Sequence, residues 1–592
     1  PDEYAIVLFG RPYNAFSKFG NMGIPHKFAS RGYKVLPHDF LPLDELGGET
    51  IDQMFWASGQ GIMQAAEFVR RTDNLFGVFI TNFSCGPDSF ITGYFRDAMG
   101  QKPSLTLELD AHTADADIDT RIEAFLDVIK GYRELELVQT PEEDGFEPCR
   151  IIEAEGKIIV RASDGRCYPI TDAHVHMLIP SMGDTASKCL AAAMRFAGIN
   201  ATALDPPGQI ELNLGKGLAT CKECLPLILT AGSLVKYLDE RKNRDEVVVY
   251  FMPETDGPCR FGQYNVFLKN FILKRKIRDV AILSLSSEDS YSGMPGPLAR
   301  RAWQAMTISD GLDDIRAALL ALAEDRPTAL AIFDKARNRI IESIAGDRYE
   351  AVLGILREEM LNLSSLKKKK SVGDATRISL IGEIYVRRDD FSRQNIIEKL
   401  ADHGVVVRTA PIAEWLYYTD YCLAHDMSTE YSLKSKAIVL FKTFFMRRDE
   451  RTIKERLALS GFYESHMIDI KHLVERGSAV VNPQLSGEAI LTVSSALTEI
   501  GDETHGVISI GPFGCMPCRI AESIVSYRLN EEKENFSRHN RKFWSREKGN
   551  LPLPFLAIES DGNPFPQLVE TRLESLLLSA NRLKEELRKM PS

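Results

Sequence analysis

One βαβ opening occurs twice in this chain, and that recurrence limits the possible folds more than any other feature. Residues 5–41 read AIVLFGRPYNAFSKFGNMGIPHKFASRGYKVLPHDFL, and residues 377–413 read RISLIGEIYVRRDDFSRQNIIEKLADHGVVVRTAPIA. Each runs from an apolar strand to a Gly (Gly10, Gly382), a Tyr three residues on (Tyr13, Tyr385), a Phe-Ser pair and an Asn. An amphipathic helix, a second Gly (Gly32, Gly404) and a second strand ending in Pro follow. A strand–helix–strand unit of this kind predicts parallel pairing. The ends recur as well. GVFITNFSCGPDSFITG (77–93) falls on GVISIGPFGCMPCRIAE (506–522), which, with a gap of one residue, sets Cys85 on Cys515. The spacing from Asp110 to Arg121 is 11, as it is from Asp561 to Arg572. Cys518 has no counterpart in the first copy.

Between the copies, HVHMLIPSMGDTASKCLAAAMRFAGINATALD (174–205) reads strand, loop, helix, strand, and EVVVYFMPETDGPCRFGQYN (246–265) reads strand, turn, helix. The expected fold class is therefore α/β, with repeated flavodoxin- or Rossmann-like parallel-sheet lobes and helical additions. The expected organisation is a lobe over 1–135 that ends an incomplete first unit and a β-rich connector over 136–170. A lobe over 171–365 carries Cys224 and Cys259, a charged linker spans 366–375, and a last lobe over 376–592 carries Cys515. Pro1 cannot be an initiator, and a buried-type strand follows almost at once. The chain reads as a piece of a longer protein or a processed subunit, with a trimmed start as the plainer explanation.

Composition removes several functions. The net charge is −11, against the basic surplus of a nucleic-acid binder. No apolar run reaches the roughly 18 residues of a membrane span, and no signal peptide opens the chain. A cytoplasmic location follows, where disulfides are rare. Ten cysteines in 592 residues do not form a disulfide framework.

Cys85, Cys259 and Cys515 each follow an apolar strand, sit beside Gly or Pro and precede a helix. The crevice beyond the strand C-termini is where open parallel sheets bind ligands. Cys224, in KECLPL, precedes a proline suited to a first helical turn. A helix N-terminus lowers a thiol pKa, so these positions predict thiolates presented to a cleft. Structural zinc prefers two close C-x-x-C pairs, whereas Cys221/Cys224 and Cys515/Cys518 lie far apart in sequence. Iron–sulfur clusters accept thiolates from distant turns. Zinc, a redox pair at Cys221/Cys224 and buried inert thiols stay open. Cys149, Cys167, Cys189 and Cys422 read as packing cysteines. Asp110–Arg121 and Asp561–Arg572 read as pairs bracing a loop on a helix, with Glu108 and Glu559 just before them. His174 and His176 read as satisfied core or edge residues, and His505 as remote from the cysteines.

The set GRPYN, NFSCGPDSF, KECLPLILTAG, FMPETDGPCRFGQYN, GEIYVRRDDFS and PFGCMP resembles the 2-hydroxyacyl-CoA dehydratase, benzoyl-CoA reductase and double-cubane-cluster protein superfamily. It is closest to the dehydratase-like part of large activase-fused proteins. The resemblance spans nearly the whole chain. It implies a cubane held by three cysteines between two lobes, here Cys224, Cys259 and Cys515. Cys85 would be the last ligand of a preceding unit. Cys221 and Cys518 depart from the pattern and stand as possible additional ligands. Arg260 and Gln263 could hydrogen-bond the cluster sulfurs. The implied cofactor is a 4Fe–4S cubane or an 8Fe–9S double cubane. The implied function is a low-potential, anaerobic reductase or dehydratase component acting on an acyl-CoA or a small molecule at an open iron. ATP would act on an activase, as a separate chain or a preceding region, because no GxxxxGK(S/T) loop is present. An oligomer or larger complex is implied. A non-catalytic electron-transfer or scaffold subunit is the alternative.

Overall fold

In a computed structural model of the chain, the described residues are 3–43, 54–82, 86–135, 145–154, 157–220, 222–255, 257–287, 296–425, 427, 433–485, 487–537, 539–546, 551 and 553–589. The chain divides into two compact units.

The first unit comprises Pro1–Phe146 with two short segments, Ala219–Glu223 and Arg260–Val266. Its sheet contains β1 (Ala5–Phe9), β2 (Lys34–Pro37), β3 (Leu75–Asn82) and β4 (Ser104–Leu109), all parallel, in the order β2-β1-β3-β4. The six inner residues of β3 are buried, as expected of a parallel strand covered on both faces. Ile6, Leu8, Val78 and Ile80 pack under Phe28, Ile118, Ile122 and Phe125 on one face. Phe9, Phe79 and Phe95 meet on the other.

The second unit starts with a small antiparallel sheet of β5 (Arg150–Ala154), β6 (Lys157–Arg161) and β7 (Cys167–Pro169). A parallel sheet follows, of β8 (Val175–Ile179), β9 (Ala201–Ala203), β10 (Val247–Phe251) and β11 (Val280–Leu283), in the order β11-β10-β8-β9. A second parallel sheet contains β12 (Thr376–Gly382), β13 (Val405–Thr409), β14 (Val507–Pro512) and β15 (Phe555–Ser560), in the order β13-β12-β14-β15. Numbered within each lobe, all three parallel sheets are wound 2-1-3-4, the opening of the flavodoxin-like order. The fold class is α/β with repeated parallel-sheet lobes, and the middle lobe shares the winding without sharing the sequence repeat.

The helical additions, Gly296–Leu322, Arg326–Gly346 and Tyr349–Ser364, break where chemistry says they should. Asp325 accepts from Thr328 N at 3.2 Å and Pro327 follows in the first turn, the cap-then-proline start of a new helix. Residues 366–375 join this layer to β12, with Lys369 N donating to Leu322 O at 2.8 Å and Glu324 N to Lys367 O at 3.1 Å. Arg388, just beyond β12, donates to Asp310 at 2.5 Å and Asp313 at 2.9 Å while only 4% exposed. Removing one partner of so buried a pair costs about 3–5 kcal/mol, which ties the helical layer to the last sheet.

Candidate functional site

Each parallel sheet has a switch point where its first and third strands adjoin: β1/β3, β8/β10 and β12/β14. The loops leaving the C-terminal ends of these strands form the ligand-binding edge of such sheets. Cys259 and Cys515 lie just past the C-terminal ends of β10 and β14. In sequence, Cys85 holds the same place after β3, but Cys85 and Cys221 lie outside the described residues. Cys224, Cys259, Cys515 and Cys518 all belong to the second unit, and none is in a disulfide.

Cys515 is the N-cap of the helix Met516–Phe536, extended at φ −69° and ψ 114°, with Pro517 in the first turn. The preceding Gly514 donates its N–H to Glu559 Oε1 at 3.0 Å, so the last strand holds the cysteine turn in place. Cys518 lies one turn on, and its side chain hydrogen-bonds Cys515. Gly511 makes room for the pair, because a Cβ there would lie 2.4 Å from Cys518 Sγ. The hydrogen bond from Cys518, followed by burial, holds the Cys515 thiol well above the ordinary range. The expected lowering by the helix terminus is overturned at this residue. A second sulfur and the loss of water both favour the protonated thiol.

Cys224 is the N-cap of the helix Leu225–Glu240, at φ −65° and ψ 143°, with Pro226 in the first turn. It is 6% exposed, as is Cys515. The C-terminal ends of the two parallel sheets of this unit meet here. A Cβ on Gly562, in the loop after β15, would lie 3.0 Å from Leu225 Cδ1. A Cβ on Gly183, after β8, would lie 3.3 Å from the carbonyl oxygen of Arg388, after β12. Tyr385, after β12, is buried within the electrostatic reach of Tyr250 on β10 and of Glu211. Cys224 and Cys515 are thus presented by helix N-termini on the edges where these sheets abut, and Cys259 by the turn after β10.

Among the described residues, no three His, Cys, Asp or Glu side chains converge to hold one metal ion. A cubane makes a different demand, since each thiolate binds its own iron. The buried Cys224 and Cys515 and the half-buried Cys259, on the strand-end turns and helix N-termini of two abutting sheets, suit that demand.

In the first unit, Arg260 and Gln263 are buried, at 7% and 2% exposure. Arg260 Nη1 donates to Lys222 O at 3.3 Å, and a Cβ on Gly86 would lie 4.0 Å from Arg260 Cδ. Glu223 accepts from the N–H groups of Thr220 and Lys222, and Lys222 is ion-paired with Glu108.

The expected Asp–Arg braces do not form. Asp110 accepts from His112 N and Thr113 Oγ1 within its own turn, and Arg121 donates to Thr106 O at 2.8 Å. Asp561 likewise accepts from Asn563. A short acidic side chain after a strand closes its own turn more readily than it reaches a helix. The bracing falls to the preceding residues instead, Glu108 on Lys222 and Glu559 on Gly514. Cys189 is fully buried and Cys149 nearly so, with burial pushing the Cys149 thiol up to about 12. His176 is satisfied by Glu246, Thr202 and Tyr237.

His505 enters β14 at the end opposite Cys515, and its Nδ1 accepts from Arg377 N at 3.0 Å. Burial, then the charges of Arg377 and Lys584, push its pKa down to about 4. The unfolded imidazole titrates near 6.5. Above that pH both states are neutral and the group contributes no pH dependence. As pH falls from 6.5 to 4, the unfolded chain takes a proton that the folded chain refuses, and stability drops by up to about 3 kcal/mol. The Asp314 and Glu414 carboxyls, raised to about 7, work in the opposite sense over this range, so the difference between wild-type and His505→Gln urea midpoints from pH 7 to 4.5 will isolate the His505 loss.

A family model described as a CoA enzyme activase uncharacterised domain (DUF2229) matches residues 1–41. This is the first βαβ opening, and it relates the chain to CoA-enzyme activases over that stretch. No curated protein matches the chain. Among the described residues, no helix is long and apolar enough to cross a membrane.

The sequence reading missed the glycine beside the thiol pair, the buried Glu414 and the half-buried Glu383, Glu488 and Glu499 around β12. Gly511 stood in a quoted motif, but its closeness to Cys518 depends on how the helix returns over β14.

Proposed function

We propose that this chain is the iron–sulfur component of an ATP-dependent, low-potential redox system of the CoA-dehydratase and reductase type. The observation that carries this reading is the recurrence of one cysteine position. A cysteine follows the third strand of three sheets wound alike, and Cys224 caps a helix in the unit that holds Cys259 and Cys515. The ligands would be Cys224, Cys259 and Cys515, with Cys85 serving a preceding unit and Cys221 as a further candidate. A cluster of this type supplies one-electron transfer at low potential when bound. The chain's own part is to bury the thiols, exclude water from them and fix their spacing on two rigid sheets. An activase partner that hydrolyses ATP is supported by the match at residues 1–41. The substrate would be an acyl-CoA thioester or a small molecule reaching an iron left open by three ligands.

Cys518 favours a second reading. A fourth thiol one turn from Cys515 would complete the ligation and leave an electron-transfer or scaffold subunit with no open iron.

Anaerobic iron and acid-labile sulfide analysis with EPR tests both. About four irons per chain, lost in Cys259→Ser and kept in Cys518→Ser, is the expected result for a three-cysteine cubane, and about eight would indicate a double cubane. Loss of the cluster in Cys518→Ser would favour full ligation. Stoichiometric zinc, or no metal, would overturn the iron–sulfur reading.

A further inference from the structure

The second unit contains a cavity of about 530 Å³ that the cysteine site does not use. It lies beside β12 and β13, under the helices Gly296–Leu322, Ile412–Ala424 and Ala489–Glu499. Its volume is that of a site for one small molecule.

The charges around it are unequally satisfied. Each strong base on its wall already has an acid: Arg377 pairs with Glu464 at 2.6 Å, Arg408 with Glu503 at 2.8 Å and Lys454 with Glu450 at 2.6 Å. Several acids have no ion pair among the described residues, although the charges of Arg387, Arg388 and Arg408 reach them. Glu414 is 8% exposed, and its carboxyl has neither a hydrogen bond nor an ion pair among the described residues. Asp314 accepts one long hydrogen bond, from Thr409 N at 3.3 Å, and no ion pair. Glu499 is bonded to the Ser379 hydroxyl rather than to a base. Burial pushes the Asp314 and Glu414 carboxyls up to about 7 each. A buried carboxyl without a donor costs folding free energy, and a group kept in that state at a cavity wall marks a binding site rather than a brace.

The ligand class follows from the same inventory. An anion would find the bases engaged and the acids repelling it, which excludes phosphates and the CoA moiety. Among the described residues no three acids converge as a metal ion requires. What remains is a molecule that brings N–H donors and positive charge. We infer that this cavity binds a small organic cation carrying one or two ammonium groups, held by the carboxyls of Glu414 and Asp314. The site contains no cysteine and is independent of the iron–sulfur reading.

Isothermal titration of the full chain with propylamine, putrescine and cadaverine tests this, with glutarate as an anion of similar size. At least one cation is expected to bind with a submillimolar Kd. Glu414→Gln is expected to weaken that binding tenfold or more while iron and sulfide content stays unchanged. The melting temperature of Glu414→Gln should hold or rise, since the variant removes an unpaired buried carboxyl. Should that variant fold poorly, Asp314→Asn carries the same test with the same expected loss. No binding by any of the three cations, equal affinity in the variants, or a preference for glutarate would overturn the inference.

Discussion

Gly382→Ala will unfold or severely loosen the last lobe, although it adds a single methyl group. Gly382 ends β12 at φ +108°, a conformation that costs a residue with a Cβ about 1–3 kcal/mol. The added carbon would also lie 2.1 Å from the carbonyl oxygen of Ile510 and 2.7 Å from its amide nitrogen. These are backbone atoms of β14, the strand registered against Gly382. They cannot move without breaking the β12–β14 ladder, so overpacking adds about 1–3 kcal/mol or more. The total, about 2–6 kcal/mol, is a large part of the 5–15 kcal/mol that holds a typical domain together. Gly404→Ala is the control. Its φ is +70°, but the nearest group is the flexible Lys370 ammonium at 3.7 Å, so only strain applies, at about 1 kcal/mol. Denaturant midpoints for both variants, followed by tryptophan fluorescence, will separate the two effects. A Gly382→Ala midpoint as close to wild type as that of Gly404→Ala would refute the argument.

Gly10 occupies the same place in the first unit, at φ +140°, with its Cβ position 2.4 Å from the carbonyl of Ile80. The repeat marks Gly10 and Gly382 as turn glycines, and that much is legible in one dimension. The reason for them is not, because each glycine is required by a strand that lies some 70 or 130 residues further along. The same divide runs through the site. Strand, Gly/Pro turn and helix are local signals, and they place Cys224, Cys259 and Cys515 correctly at strand ends and helix starts. The winding of the middle sheet is hidden, since packing tolerates different side chains on one topology. The Asp–Arg braces fail because equal spacing in two copies fixes neither reach nor direction, and the neighbouring glutamates serve instead. The acidic cavity draws on segments from residue 307 to 539, and no local pattern announces that Glu414 ends without an ion pair among the described residues.

Gly232→Ala reverses an ordinary rule and tests how the Cys224 helix is set. In an exposed helix interior, replacing Gly with Ala gains about 1 kcal/mol. Gly232 instead lies where the helices Gln209–Leu218 and Leu225–Glu240 cross backbone to backbone. Its Cβ would fall 1.9 Å from the carbonyl oxygen of Glu211, and a Cβ on Gly215 would fall 1.8 Å from that of Ile228. Neither carbonyl can turn away while it serves its own helix, so the helices must separate, and the packing of Leu212, Leu225 and Gly562 separates with them. The expected loss is about 3 kcal/mol or more, the scale of an overpacked core, with the sign opposite to the propensity rule. Because Cys224 caps the displaced helix, the cluster proposed above would lose that ligand, and iron and sulfide content would fall in the variant while far-ultraviolet circular dichroism at low temperature stays near wild type. Gly131, in the helix Asp115–Glu134 with nothing within 4 Å of its Cβ position, should gain stability on the same substitution. If Gly232→Ala gains as Gly131→Ala does, the two helices do not cross at their backbones, and the placement of Cys224 at the sheet edge loses its support.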